Sequence, residues 1–379
     1  MKIIVGMDSF KGSLSSKEAN QAVSEGIRSV FGDATIKTYI MADGGEGTTR
    51  ALIEGMNGIL KTASVTGPLG AVVDAEYGFV DDDNLAIIEI AEACGLPLLT
   101  DDELDPYTAT TYGVGEMIEH AYETGARQFI IGLGGSATND GGVGMLQALG
   151  YQFFDEHGVE IEHIGGALLK IDKIVKTPEA HKYEDCNFRV ACDVNNLLYG
   201  PDGATYVFGP QKGAAKDMLS DLDAGLKHFA EVTESEMDID ISKVEGGGAA
   251  GGLGAAFHGY LSAELGSGIG LIIEILNIEE EITDADLVIT GEGRLDAQTS
   301  MGKVPAGLAK SAKKHGVPII AFGGSLTNDA YELVNQDLDA IFSIQHSPVS
   351  LEEAMKSSTT SFNLEKTVSQ VMAVFSLNR

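Results

Sequence analysis

An apolar run, Leu287 to Ile289, stops abruptly at Gly291-Glu292-Gly293-Arg294, and this arrangement constrains the fold more than any other stretch of the chain. A short, wholly apolar segment that delivers charge at its end reads as a buried parallel strand. Open α/β sheets bind ligands beyond the carboxyl ends of such strands. Glu292, Arg294 and Asp296 would then stand over a cleft, with Gly291 and Gly293 letting the backbone approach a bound group. For this segment alone, a solvated turn holding an ion pair is an equally good reading. The pattern recurs, though, at Asp8–Ser13, Asp43–Glu46, Gly132–Asp140 and Asp193–Asn196, polar strand ends that together carry acids, a few cations and many glycines. Five such ends suggest one cleft for a phosphorylated ligand and a metal ion.

In chain order, Ile3 to Val5 forms a strand, a polar turn carries Asp8 and Lys11, and Lys17 to Val30 has helical periodicity with a capping box offered by Ser15 and Glu18. A lysine beside the unpaired amides of a helix start makes an anion site. The strand Thr35 to Met41 leads into Asp43-Gly-Gly-Glu46, where carboxylates either ligate Mg²⁺ or cap the helix Thr49 to Gly55. From Lys61 to Leu99 the pattern turns to short β runs, with Val72–Phe79 and Leu85–Ile90 as a hairpin, as if from the sheet of another domain. Glu89 and Glu92 interrupt this apolar stretch; one faces a cleft or, more simply, an edge.

A helix from Tyr112 to Thr124 and a strand from Gln128 restore the α/β rhythm. Gly132, Gly134 and Ala137 fit the dinucleotide fingerprint, and Asp155 follows at close to its spacing of roughly 20 residues. Against that reading, Asn139, Asp140, Gly141, Gly142 and Gly144 break the helix that should hold a pyrophosphate. The loop suits the wrapping of phosphate or carboxylate oxygens by amides. Phe188 to Val194 delivers Asp193, a candidate acid or base, and Lys212 offers a second cation for phosphate; for either alone a surface turn is the plainer reading. Gly246 to Gly254 points to close packing, with an oxyanion nest as the lesser alternative. Further on, Lys303 to Lys314 is helical, Pro318 to Phe322 and Ala340 to Ile344 are strands, and helices close the chain around Glu352–Lys356 and Asn363–Phe375.

Composition narrows the function. A chain of 379 residues, 44% hydrophobic, can bury a sizeable core and favours two or more domains over one. Its net charge of −32, with no basic patch, argues against nucleic acid and anionic membranes as partners. The opening strand is too short for a signal peptide, no segment spans a bilayer, and Cys94, Cys186 and Cys192 lack metal spacing, so reduced thiols in a cytoplasmic protein are expected. No HExxH, nucleophile elbow or Gx₄GK[ST] motif occurs, which speaks against zinc, serine-hydrolase and P-loop chemistry.

The motifs Asp8-Ser-Phe-Lys-Gly-Ser-Leu-Ser15, Ala42-Asp-Gly-Gly-Glu-Gly47, Gly132-Leu-Gly-Gly-Ser-Ala-Thr-Asn-Asp-Gly141, Ala191-Cys-Asp-Val194, Gln211-Lys-Gly213 and Ala285-Asp-Leu-Val-Ile-Thr-Gly-Glu-Gly-Arg-Leu-Asp296 follow one another in this order. In them the chain strongly resembles the type-I glycerate kinase family. It departs from the family's usual Asp-Val-x-Asn-Pro-Leu at Leu197, which bears on the loop geometry there. The resemblance implies phosphorylation of D-glycerate with ATP and Mg²⁺, commonly at O2 to give 2-phospho-D-glycerate and ADP. It also implies two α/β domains, a Rossmann-like parallel-sheet domain with a second mixed α/β domain inserted, and the active site in the cleft between. The expected boundaries are 1–60, 106–140 and 265–379 for the first domain, and 61–105 with 141–264 for the second.

Within such a site Asp193 is assigned as base, Lys11 and Arg294 as binders of substrate carboxylate or phosphate beside Asp8, and Asp43, Glu292 and Asp296 as holders of Mg²⁺. Gly134, Gly135, Ser136 and Asn139 with Asp140 form the amide-rich loop. Ser9, Ser13, Lys212, Gly291 and Lys303 complete the expected binding set. The expected partners are D-glycerate and ATP, with a homodimer among the admissible assemblies. The alternatives are a glycerate 3-kinase or kinase of a related small hydroxy acid, an NAD-dependent oxidoreductase using the Gly132 loop, and a non-catalytic binding protein.

Overall fold

A strand that is apolar at every position must be covered on both faces, and two such strands organise the first part of the structure. The computed structural model describes residues 1–42, 45, 47–300 and 303–377. In it, Lys2–Met7 is buried from Ile3 onward and Leu287–Leu295 is buried through Glu292. They pair in parallel, Ile3 opposite Leu287 and Met7 opposite Gly291. Around them lies a five-stranded parallel sheet in the order Ala340–Ser343, Ile319–Leu326, Leu287–Leu295, Lys2–Met7, Thr35–Thr38. Two distant stretches of chain, Met1–Asp43 and Ile269–Arg379, thus make one compact unit.

Its helices start where local chemistry says they should. Ser16–Arg28 opens with the capping box of Ser15 and Glu18, each satisfying an amide at the start of the helix. Val304–His315 has proline in its first turn and Lys313, Lys314 and His315 in its last, which suits the helix dipole. The closing helix, Ser357–Ser376, packs on Ser16–Arg28 at Gly26, where a β-carbon would lie 2.6 Å from the Glu365 carbonyl. Nothing larger than glycine fits there without moving a helix.

The second unit, Gly44–Gly268, is built on a six-stranded sheet in the order Glu264–Gly266, Asn187–Ala191, Gln128–Gly132, Leu85–Glu89, Val72–Val80, Ile59–Thr66. The first four strands are parallel; Val72–Val80 then pairs antiparallel with Leu85–Glu89, as the hairpin pattern predicts, and on its other side with Ile59–Thr66. Stacked Phe129 and Phe188 lie in its core. Segment 106–140, expected with the first domain, belongs here, because Gln128–Gly132 pairs between Leu85–Glu89 and Asn187–Ala191. Residues 44–60 and 265–268 likewise fall in the second unit. The physical reason is simple: periodicity identifies a buried parallel strand but says nothing about which sheet receives it. The strand expected over Phe188–Val194 ends at Ala191, and Val207-Phe208 is helical within Ala204–Phe208. Among the described residues, no helix is long and apolar enough to cross a membrane.

Candidate active site

The carboxyl edge of the parallel sheet in the first unit gathers most of the charged residues singled out from the sequence. Asp8 continues the ladder past its strand, its amide donating to the Gly291 carbonyl at 2.8 Å, and the Ser9 amide donates to Asp8 Oδ1 at 2.6 Å. A tight turn follows. The Phe10 amide donates to Leu14 O and the Leu14 amide to Phe10 O, with Gly12 at φ +77°. Lys11 is thereby held exposed at the tip. Ser13 ties the turn to the closing helix, its hydroxyl 2.5 Å from that of Thr360 and its carbonyl accepting from Ser357 Oγ at 2.6 Å.

Across from this turn, Glu292 is only 6% exposed. Thr299 Oγ1 donates to its carboxylate at 2.7 Å and Lys303 Nζ lies at 3.2 Å. Burial holds its carboxyl above the ordinary range, opposed by the Thr299 hydrogen bond and the Lys303 charge. Thr299 also accepts from the Asp296 amide, so one buried hydroxyl fixes both acidic residues. Arg294 is exposed, with Nε 3.3 Å from Asp296 Oδ2. Gly291 lies beneath them; a β-carbon there would stand 2.1 Å from the Phe322 carbonyl, so this strand end admits no side chain.

These groups share a cavity of about 390 Å³ inside the first unit. Asp8, Lys11, Glu292, Arg294, Asp296 and Lys303 supply its charge, Ser9 and Ser13 part of its polar lining. Gln345, Leu351 and Met355 form another part of the wall. Sequence reasoning assigned that segment no role beyond a strand end and a helix. The serine cap at Ser350 and the Leu351/Met355 pair one helical turn apart were the local signals for it.

In the second unit similar loops have a different fate. Gly134 and Gly135 are exposed at the end of Gln128–Gly132, but Ser136, Asn139 and Asp140 turn inward. The Asp140 carboxylate accepts from the Thr111 amide and hydroxyl, each at 2.8 Å, and from the amides of Gly142 and Gly144. Burial raises its pKa, against those four donors. Asn139 donates to Thr205 Oγ1 at 3.1 Å. Lys212 is 2% exposed, and its ammonium donates to Ser136 Oγ at 2.8 Å and to the Thr138 carbonyl at 2.7 Å. Burial holds its pKa down at about 8. Gly246–Gly254 packs closely, as expected, since a β-carbon on Gly251 would stand 2.0 Å from the Thr138 carbonyl.

The fingerprint glycines open no helix; the next one, Val143–Ala148, begins well beyond them and is capped by Gly142. Asp193 is exposed just past the strand Asn187–Ala191, with Oδ1 accepting from the Gly268 amide at 3.1 Å. Glu89 accepts from the amides of Gly47 and Thr49 at the start of the helix Thr48–Met56, which gives this interrupting acid a capping role. Asp43, expected as a metal ligand, lies outside the described residues.

Among the described residues no three His, Cys, Asp or Glu side chains gather as a ready-made metal cluster. The carboxylates on the cavity wall suit an ion that keeps water and phosphate oxygens in its shell and takes one or two protein carboxylates.

A sequence model of the Glycerate kinase family matches residues 3–376. The chain is 48% identical to Glycerate 2-kinase of Escherichia coli (strain K12) over 356 residues, 94% of this chain and 93% of that one. It is 47% identical to Glycerate kinase of Bacillus subtilis (strain 168), with the same coverage. A crystal structure assigned as glycerate kinase 2 from Salmonella typhimurium LT2 matches at a TM-score of 0.90 and 42% identity, covering 100% of this chain and 99% of that one.

Proposed function

The chain belongs to the glycerate kinase family, and from that premise we propose that it transfers the terminal phosphoryl group of ATP to D-glycerate, at O2, releasing 2-phospho-D-glycerate and ADP. The observation that carries this reading is the convergence of three cations, Lys11, Arg294 and Lys303, with Asp8, Glu292 and Asp296 on one cavity at the carboxyl edge of a parallel sheet. Phosphoryl transfer asks the protein mainly for position and charge: cations on the phosphates, carboxylates for a metal, and a base for the acceptor hydroxyl. Similarity to the Glycerate 2-kinase of Escherichia coli supports O2 as the position.

The residues divide accordingly. Lys11, exposed on its turn, and Arg294, oriented by Asp296, attract the phosphate or carboxylate oxygens. Glu292 and Asp296, with Asp43, would hold Mg²⁺ directly or through water, and the ion would offset phosphate charge. Asp193 takes the proton as the glycerate oxygen bonds to phosphorus and the bond from phosphorus to the ADP oxygen breaks. The exposed amides of Gly134 and Gly135 offer donors to anionic oxygens. Lys212 acts through the loop, its ammonium pinning Ser136 and Thr138. The free cysteines are in keeping with a cytoplasmic location, and sedimentation of the full chain tests for a homodimer.

ADP release by the purified protein with MgATP, with and without D-glycerate, tests the proposal. Strong dependence on glycerate is the expected result, and NMR of the product distinguishes O2 from O3. No dependence in folded protein would overturn it.

A further inference from the structure

The cavity of the first unit has a second face that glycerate does not explain. Its charged side chains are matched by apolar ones, of which Phe10 and Ile344 are buried while Leu351 is 75% and Met355 39% exposed. Exposed large apolar residues that line a concave surface are normally covered by a ligand. Glycerate carries oxygen on each of its three carbons and has no apolar face to offer. A cavity of about 390 Å³ is also roomy for so small an acid, and it falls within the roughly 300–1,000 Å³ of pockets that hold much larger ligands.

The apolar wall abuts the phosphate-binding turn. A β-carbon on Gly12, next to Lys11, would lie 2.8 Å from Met355 Cε. At the same wall Gln345 is fixed by donation of its Nε2 to the Gly324 carbonyl at 3.1 Å. Its Oε1 is buried and has no hydrogen-bond partner among the described residues. An unmatched buried acceptor favours a ligand that brings a donor.

We infer that this cavity is the nucleotide pocket of the enzyme, with the purine base against Leu351 and Met355, the phosphates toward Lys11 and Arg294, and the amino group of adenine directed to Gln345. The inference rests on the kinase reading above and adds which ligand the first unit holds. It makes the segment 344–360 a determinant of nucleotide affinity, and Gln345 a selector for adenine, whose amino group donates, over guanine, whose carbonyl at that position accepts.

Leu351→Glu places a charge where the base would lie, at a position exposed enough to spare the fold. The KM for ATP is expected to rise at least ~10-fold, the scale of discrimination by an apolar pocket, with the KM for glycerate nearly unchanged. A fluorescent N-methylanthraniloyl ADP should bind the wild type saturably and the variant correspondingly less well. Gln345→Leu should narrow the preference for ATP over GTP. If Leu351→Glu proves unfolded by circular dichroism, Met355→Glu takes its place.

A raised KM for glycerate with unaltered fluorescent-ADP binding would overturn the inference while leaving the kinase standing. Unaltered values for both ligands would do the same. Conversely, nucleotide binding that is lost in Leu351→Glu, in an enzyme whose ADP release ignores glycerate, would sustain the pocket and remove the acceptor.

Discussion

The two units place similar loops at the ends of parallel strands and use them in opposite ways. In the first, Lys11 and Arg294 stay exposed on a cavity wall. In the second, Lys212, Asn139 and Asp140 are buried and bonded to their own chain. A charge within a glycine-rich loop is therefore a ligand group or an internal clamp, and the presence of protein partners decides which. An ammonium that already donates to a hydroxyl and a carbonyl has little left for phosphate. One held at the tip of a turn keeps its donors for what arrives.

Substitutions can break this contrast, and the largest expected effect belongs to the exception within the second unit, exposed Asp193. Asp193→Asn should lower kcat by about 100- to 10,000-fold if the carboxylate is the base, while the urea midpoint barely moves. Near-normal turnover in the folded variant would remove the role. Asp140→Ala leaves four donors without their acceptor and should cost about 3–4 kcal/mol of stability. Full stability in urea unfolding would show that water replaces the carboxylate, and the clamp reading would fail.

Lys11→Ala should do the reverse, raising the KM for an anionic substrate by about 10-fold, the order of one charge-assisted contact, with stability within about 0.5 kcal/mol of wild type. KM values unchanged for both ATP and glycerate would take Lys11 out of the site. The smallest effect is a slope. Burial lowers the Lys212 pKa to about 8 in the folded chain against an ordinary 10.5. Between those values the unfolded chain carries a proton that the folded chain has released, so this residue's contribution to stability rises with pH across that window. Comparing unfolding curves from pH 8 to 10.5 should show a rise that Lys212→Met lacks. Parallel pH dependences would refute the buried-amine account.

The parts of the molecule legible from sequence were those decided locally. The Ser15–Glu18 capping box lies within four residues, and the helix Tyr112–Thr124 has the bounds its periodicity indicates. Strand ends carrying acids were equally visible, because an apolar run that stops at charge is a local pattern. What escaped was pairing. Gln128–Gly132 reads the same in either sheet, and only its long-range partners place it in the second. The wall of Gln345, Leu351 and Met355 escaped for a related reason, since apolar side chains that wait for a ligand look in sequence like any that wait for a core. Lys212 was hidden by the strength of the usual rule, because lysine is seldom fully buried.

Gly26 lets the closing helix Ser357–Ser376 settle on Ser16–Arg28, and the strand Lys2–Met7 finds its central neighbour only at Leu287–Leu295. During synthesis this gives the chain a timetable. Domains fold largely as units while the chain emerges, so residues 44–268 can finish their own sheet while the first strand and helix, made earlier, still wait for partners not yet translated. The helix Ser357–Ser376, made after all of these, is then the one that ends the wait, and Gly26 is the seat kept for it.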